Sequence, residues 1–264
     1  MKNIVITGST RGIGFAMARA FLRKGNNVVV SGRKSLSVKE AVRELAGEFS
    51  ADRIAGFACD VTQFDQVQAL WDQVQKKMGN IDIWVNNAGI SNIQNTPWEL
   101  SVEEICAVVE TNVLGEMFGS KVALQGFNKQ GVGAVYNMEG MGANGRSTVK
   151  GLSIYGASKA GLRYFNDCLA AEINNPRIIA GFLQPGMILT DMVTGQYAGK
   201  PEEWSKAKPI FDVIASDVDQ VADWLTDKIL ANRKNGARFV YSSKMRIFSR
   251  FLMMPFHRKE KRDS

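Results

Sequence analysis

Asn3-Ile4-Val5-Ile6-Thr7-Gly8-Ser9-Thr10-Arg11-Gly12-Ile13-Gly14 begins as a short apolar strand, turns on glycines, and enters a helical pattern that lasts to about Lys24. Strand, glycine turn and helix in that order cradle a dinucleotide phosphate. The glycines let the backbone approach a pyrophosphate, and the helix N-terminus offers free N–H groups and the positive end of its dipole. The spacing is G-x-x-x-G-x-G rather than the commoner G-x-G-x-x-G, so a plain glycine-rich turn is the bland alternative. Gly8, Thr10, Arg11, Gly12, Ile13 and Gly14 are the candidate contacts of this loop.

Outward from that stretch, strand and helix patterns alternate. Residues 27–30 read as a second strand ending Ser31-Gly32-Arg33-Lys34. An NAD enzyme usually places an acid here for the ribose 2′-OH. This chain offers Arg33, with Arg11 in the loop, and guanidinium groups match phosphate geometry, so NADPH is favoured over NADH. A third strand, 53–58, ends Cys59-Asp60-Val61, where Asp60 either accepts from an adenine amino group or caps the helix near Gln63; the two roles can coexist. Strand 81–85 ends Asn86-Asn87-Ala88-Gly89, and small and amide residues at that point suit a cofactor crevice. Val61, Asn87, Ala88 and Gly89 join Arg33 and Asp60 as cofactor candidates. Residues 102–125 read as one long helix with Asn112 amid apolar neighbours. Its amide either makes a local structural hydrogen bond, or bends the helix and holds water near a reaction centre. Residues 192–214 lack clear periodicity, as a loop closing over substrate would. The alternation, unbroken by any linker, predicts one α/β doubly wound parallel domain over 1–243.

Composition narrows the chemistry. The 264 residues contain one histidine, His257, and three scattered cysteines. A Ser-His-Asp hydrolase, a His-liganded metal and a Cys-rich zinc site are disfavoured, and a reducing compartment is expected. No stretch approaches a membrane span and no signal or transit segment is visible, so the expectation is a cytoplasmic protein. Of the net charge of +7, most lies past residue 243: seven Lys or Arg stand there against Glu260 and Asp263. Nucleic-acid binding by the body is therefore not expected. Residues 244–264 read as a basic amphipathic extension. It either contacts a membrane surface peripherally or packs on the protein.

A second stretch carries the reaction chemistry. An apolar run at 134–138 leads through a glycine-dotted loop into Ile154-Tyr155-Gly156-Ala157-Ser158-Lys159. Four residues apart on a helix, Tyr155 and Lys159 share a face. A cation beside a phenol favours the phenolate, so the lysine is expected to lower the tyrosine pKa.

Taken together, Thr7…Gly14, Asn86-Asn87-Ala88-Gly89, Asn112, Tyr155-x-x-x-Lys159 and Pro185-Gly186…Thr190 resemble the short-chain dehydrogenase/reductase family over about residues 1–243. The resemblance implies a seven-stranded Rossmann sheet and a dimer or tetramer. Tyr155 would be the proton donor, with Lys159 lowering its pKa and holding the nicotinamide ribose. Asn112 would hold a relay water, and Pro185, Gly186, Ile188 and Thr190 the nicotinamide end. It also implies a serine about thirteen residues before Tyr155, where Gly142 stands, and an Asn-x-Ser-Ser run after strand five, which reads Asn137-Met138-Glu139-Gly140 here; Ser147, Thr148 and Ser153 are substitutes, and Ser147 is preferred. Asn137-Met138-Glu139-Gly140-Met141-Gly142, the stretch from Tyr155 to Arg163, the Pro185–Asp191 run and the tail at 246–251 resemble one branch, the chlorophyll b reductases. That branch implies reduction of the C7 formyl group of a chlorophyll-type pigment. Another ketone or aldehyde, 3-oxoacyl or steroid-like, and a catalytically inactive NADP-binding scaffold remain the alternatives.

Overall fold

The computed structural model describes residues 1–145 and 148–241. In chain order the elements are β1 (Asn3–Ile6), α1 (Gly12–Arg23), β2 (Asn27–Gly32), α2 (Ser35–Ala46), β3 (Ile54–Ala58), α3 (Phe64–Met78), β4 (Ile83–Asn86), α4 (Val102–Val109) and α5 (Gly115–Gln130). There follow β5 (Gly133–Met138), α6 (Ser153–Glu172), β6 (Ile178–Gln184), α7 (Asp191–Gly195), α8 (Pro201–Ile214), α9 (Val218–Ala231) and β7 (Ala237–Val240). The seven strands form one parallel sheet in the order β3-β2-β1-β4-β5-β6-β7.

The apolar run of β1 explains its central place. Ile4, Val5 and Ile6 are fully buried, because a parallel sheet covered on both faces needs apolar side chains on both. Successive side chains point to opposite faces. Ile4 and Ile6 pack with Met17, Phe21, Leu225 and Ile229, from α1 and α9. Val5 faces the other layer, with Trp71, Trp84 and Phe127. Each large side chain so buried contributes roughly 1.5–3 kcal/mol. The chain builds outward from β1 through β2 to β3, then returns to place β4 on the other side. That reversal opens a crevice at the C-terminal ends of β1 and β4, where ligands bind in such sheets.

Two elements differ from the sequence expectation. The long helix is interrupted: α4 and α5 are joined by a π turn, Glu110–Leu114, with Asn112 at its centre. Residues 192–214 are mostly ordered helix rather than irregular loop, forming α7 and α8, with Pro209 inside α8. No residue of α8 is buried, which is why its apolar periodicity is faint in the sequence. The extension at 244–264 and Ser147 lie outside the described residues. Among the described residues, no helix is long and apolar enough to cross a membrane.

Candidate active site

The crevice is built first from backbone. Gly8 has φ +62, and a Cβ there would lie 2.7 Å from the Cα of Ala88, so conformation and space both demand glycine. The Thr7 hydroxyl accepts from the N–H groups of Asn87 (3.1 Å) and Ala88 (3.2 Å). Asn87 Nδ2 donates to the carbonyls of Thr7 and Gly8, both at 2.9 Å. The ends of β1 and β4 are thereby stapled together, and Gly14 fits against the same amide. Arg11 is the N-cap of α1 and makes no side-chain capping bond, so the first N–H groups of that helix are left for a ligand. Asn87 Oδ1 is buried with no hydrogen-bond partner among the described residues, and a Cβ on Gly12 would meet only Thr190 Cγ2, at 3.8 Å. A glycine-walled cradle, an uncapped helix start and an orphaned acceptor fit the phosphate and nicotinamide groups of a dinucleotide.

The outlying cofactor candidates are less closely grouped. Arg33 is exposed just beyond β2. Thr10 packs on Gly32 at the end of that strand. Arg11 is paired with Asp191 at 3.1 Å, both side chains largely exposed. Asp60 Oδ1 accepts from the N–H and hydroxyl of Thr62, so it shapes the turn before α3; Gln63, not Asp60, is the N-cap. Val61 packs on Gly115, and Ile188 and half-buried Ile13 belong to the core layer on α1. Gly186 takes φ +78 in the turn after β6, next to Pro185.

Tyr155 and Lys159 stand on the first turns of α6, on the opposite wall. The Tyr155 N–H donates to Asn92 Oδ1 (3.3 Å), and Asn92 Nδ2 donates to the Gly151 carbonyl (2.9 Å), which fixes the helix start. Lys159 Nζ donates to the Met138 carbonyl at 2.9 Å. Gly89 links the walls: a Cβ on it would lie 3.3 Å from Asn112 Oδ1 and 3.9 Å from Lys159 Nζ. Burial pushes the Tyr155 phenol up to about 12. Burial also pushes Lys159 down, against the charges of Glu116 and Glu139, which raise it. The expected lowering of the tyrosine by the lysine is therefore outweighed. With the ammonium turned to Met138, desolvation governs the phenol and keeps its proton in place at neutral pH.

The residue facing the Tyr155 hydroxyl is Gly140. A Cβ there would lie 2.4 Å from the phenol oxygen and 3.2 Å from Lys159 Cγ. Gly142, the expected serine position, instead packs with φ +94 on the backbone of Gly156, 2.8 Å from its Cα. Of the two registers, the Asn137–Gly140 run and not the thirteen-residue count reaches the residue beside the hydroxyl. Of the substitutes, Thr148 and Ser153 are both exposed.

Asn112 bridges the two walls. Its Oδ1 accepts from the Ile90 N–H (2.8 Å), and its Nδ2 donates to the Ile90 carbonyl (2.9 Å) and Ser158 Oγ (3.1 Å). Ser158 Oγ donates to the Tyr155 carbonyl at 2.7 Å. These bonds match the structural reading of the buried amide, and its place in a π turn matches the bend. Ser158 and Asn92 were not singled out in the sequence, whereas Gly140 stood there as the last residue of the run that replaces the family's Asn-x-Ser-Ser, with no role of its own. The Lys200 ammonium donates to Gln94 O and to Asn95 Oδ1 (2.8 Å), latching the start of α8 to the loop after β4. Tyr197, Trp204 and Phe211 cluster there, with ring centroids 5.3–6.1 Å apart.

A dinucleotide crevice faced by half-buried Tyr155 and buried Lys159 defines an NAD(P)-dependent oxidoreductase acting on a carbonyl. The family model for short chain dehydrogenases matches residues 2–201. The chain belongs to the short-chain dehydrogenase family. It is 36% identical to chlorophyll(ide) b reductase NOL, chloroplastic, of Oryza sativa subsp. japonica over 263 residues, covering 94% of this chain and 74% of the relative. It is 34% identical to a 3-oxoacyl-[acyl-carrier-protein] reductase of Bos taurus over 192 residues, covering 72% of this chain and 77% of that one. Among solved structures, an alcohol dehydrogenase of the archaeon Thermococcus sibiricus, complexed with 5-hydroxy-NADP, superposes with a TM-score of 0.75 at 25% identity, over 92% of this chain and 97% of the other.

Proposed function

We propose that the chain is an NADPH-dependent reductase of a chlorophyll b-type pigment, converting its C7 formyl group to a hydroxymethyl. The observation that carries this reading is Gly140 against the Tyr155 hydroxyl. Gly140, two residues past β5, puts no side chain of its own against the hydroxyl, within the Asn137-Met138-Glu139-Gly140 run that resembles the pigment reductases. The identity to the rice chlorophyll(ide) b reductase supports the same substrate class. So do the flat faces of Tyr197, Trp204 and Phe211, which suit a planar ring system.

Bound NADPH supplies a hydride to the carbonyl carbon. Gly8, Gly12, Gly14 and the start of α1 hold its phosphates, Asn87, Ala88 and Gly89 line its path, and Pro185, Gly186, Ile188 and Thr190 face the nicotinamide end. Arg33 takes the 2′-phosphate, joined by Arg11 if its pair with Asp191 opens. Tyr155, protonated at neutral pH, gives its proton to the carbonyl oxygen as charge develops there. Lys159 holds the ribose and stabilises the resulting phenolate. Asn112 keeps the two walls in register and holds a relay water. Ser147 is the proposed second donor to the substrate oxygen. As in its family generally, the chain is proposed to act as a homo-oligomer.

The experiment is chromatography of pigments after incubation with NADPH and chlorophyll b, beside a 3-oxoacyl thioester. We expect 7-hydroxymethyl chlorophyll from wild type and at least a 100-fold lower rate from Tyr155→Phe, as loss of a general acid costs about 10²–10⁴-fold. Turnover of the thioester alone overturns the substrate, and an unimpaired, folded Tyr155→Phe protein overturns the mechanism.

A further inference from the structure

The first turn of α6 is completed by a side chain from elsewhere in the chain. Its N-cap, Leu152, has no side-chain acceptor, and the Gly156 N–H bonds to the Leu152 carbonyl at 2.8 Å. The Tyr155 N–H is therefore the last donor of that turn which the helix does not serve. A longer helix would offer it the Gly151 carbonyl, but Gly151 turns the chain away with φ +83. Asn92, 63 residues before Tyr155 and only 4% exposed, stands between the two. Its Oδ1 accepts from the Tyr155 N–H (3.3 Å), while its Nδ2 donates to the Gly151 carbonyl (2.9 Å) and to Ile93 O (2.7 Å). One amide thus bridges the two backbone groups that an unbroken helix would join directly. The Gly151 carbonyl also accepts from the Asn95 N–H at 3.1 Å. A Cβ on Gly151 would lie 2.6 Å from Gln94 Cγ and 3.1 Å from Asn95 N, so the loop after β4 and the approach to α6 are built against each other.

We propose that Asn92 is a positioning residue for Tyr155: its amide ties the tyrosine's backbone to the loop that leaves the cofactor crevice, and so sets the proton donor against the hydride donor. The inference rests on the reading of Tyr155 as the proton donor and of Asn87, Ala88 and Gly89 as a wall of the cofactor site. Asn92 follows Gly89 closely in the chain, and the residue just after Gly89, Ile90, is held by Asn112 at both its N–H and its carbonyl. On the other flank the Gln94 N–H donates to the Gln196 carbonyl (2.9 Å), and Gln196 Nε2 donates to Ser91 Oγ (3.1 Å). Asn92 therefore reaches α6 from a support pinned on both sides. Asn112 holds the same support to Ser158, nearly one turn further along α6, so two amides fix the helix on either side of the tyrosine's turn. The site asks for an acceptor on one arm and a donor on the other, which an amide supplies and a carboxylate does not. Proton and hydride must reach the two atoms of one carbonyl, so a tyrosine loosened at its backbone loses rate before it loses binding.

The test joins a local measurement to a kinetic one. In full-length protein labelled with 15N at tyrosine, the Tyr155 amide is identified by its loss in Tyr155→Phe. Its hydrogen exchange is expected to quicken several-fold in Asn92→Ala, while Tyr164, further along the same helix, and Tyr136, in β5, keep their wild-type protection. A general loss of stability would quicken all three. In the same variant kcat for NADPH-dependent reduction of chlorophyll b falls on the order of 10–100-fold, with KM for the pigment and Kd for NADPH within a few-fold of wild type. Unchanged exchange at Tyr155, or an unchanged kcat, in folded Asn92→Ala overturns the proposal. If that variant does not fold, wild-type exchange decides: a Tyr155 amide as protected as that of Tyr164 supports the bond to Asn92, and an unprotected one overturns it. If wild type reduces the 3-oxoacyl thioester and not the pigment, the substrate reading falls and kcat is read on the thioester. The exchange needs no substrate, so a wild type that reduces neither sinks the reading of the site while exchange still decides whether Asn92 holds Tyr155.

Discussion

At the scale of single residues, the site depends on where side chains are missing as much as on where they stand. Gly140→Ala puts a methyl 2.4 Å from the Tyr155 oxygen, and the ring end must move. A displacement of about 1 Å at a reacting group can cost on the order of 100-fold. We expect that loss in kcat, with NADPH affinity within a few-fold of wild type because the phosphate cradle is untouched. Steady-state kinetics and NADPH fluorescence titration check it, and full activity in Gly140→Ala would show that the hydroxyl works from another position. Gly142→Ala should behave differently, costing about 1–2 kcal/mol of stability because its φ of +94 strains any other residue. Tyr155 and Lys159 were legible because helical spacing alone puts them on one face. Gly140 was half legible: the Asn137–Gly140 run reached it and the thirteen-residue count reached Gly142, and a count along an irregular loop does not say which residue meets the tyrosine. The balance of the tyrosine's acidity was also hidden. Spacing gives the neighbour, but burial and the carbonyl of Met138 decide how far the lysine's charge is felt.

At the scale of elements, strands and helices carried by strong apolar patterns were readable, and those carried by special contacts were not. The break between α4 and α5 leaves no mark in periodicity, because a π turn inserts one residue without removing the helical run. Asn112 marked the place, as a buried amide among apolar neighbours, but not the form of the distortion. α8 was hidden for a different reason: it lies over the molecule without burying any residue, and is held by its ends and its aromatic cluster. Lys200 is the fastening at its start. Lys200→Ala removes donors to Gln94 and Asn95 and frees α8 from the loop beside the crevice. KM for a bulky carbonyl substrate is expected to rise several-fold, while Kd for NADPH, whose phosphate cradle is built from β1, α1 and β4, changes less than two-fold. The measurement is a KM and kcat comparison with wild type; equal loosening of NADPH and substrate would mean that α8 also holds the cofactor.

At the scale of the whole molecule, the order of the sheet follows from sequence logic, since each right-handed crossover adds a strand beside its predecessor until the chain returns to β1. What closes the far edge was not legible, because it joins residues remote in the chain. Glu139, with a fully buried side chain, follows β5; Arg238 lies in β7; Asp167 and Arg163 lie on α6. Arg238 bonds both carboxylate oxygens of Glu139 and also Asp167, at 2.9 Å, so one guanidinium ties the edge strand and α6 to the strand that ends at the active site. Breaking a buried pair leaves a charge without compensation and costs about 3–5 kcal/mol. Arg163, at 3.8 Å, remains to soften the loss, so we place Arg238→Ala at about 3 kcal/mol, or on the order of 6–12 °C in Tm at the usual 2–4 °C per kcal/mol. Adding Glu139→Gln to Arg238→Ala removes the stranded charge and should recover part of that loss. A double-mutant cycle by thermal unfolding reads the result. Strictly additive losses would mean that Arg238 acts through Asp167 and its packing on Phe182, and that Glu139 is held by Arg163 instead.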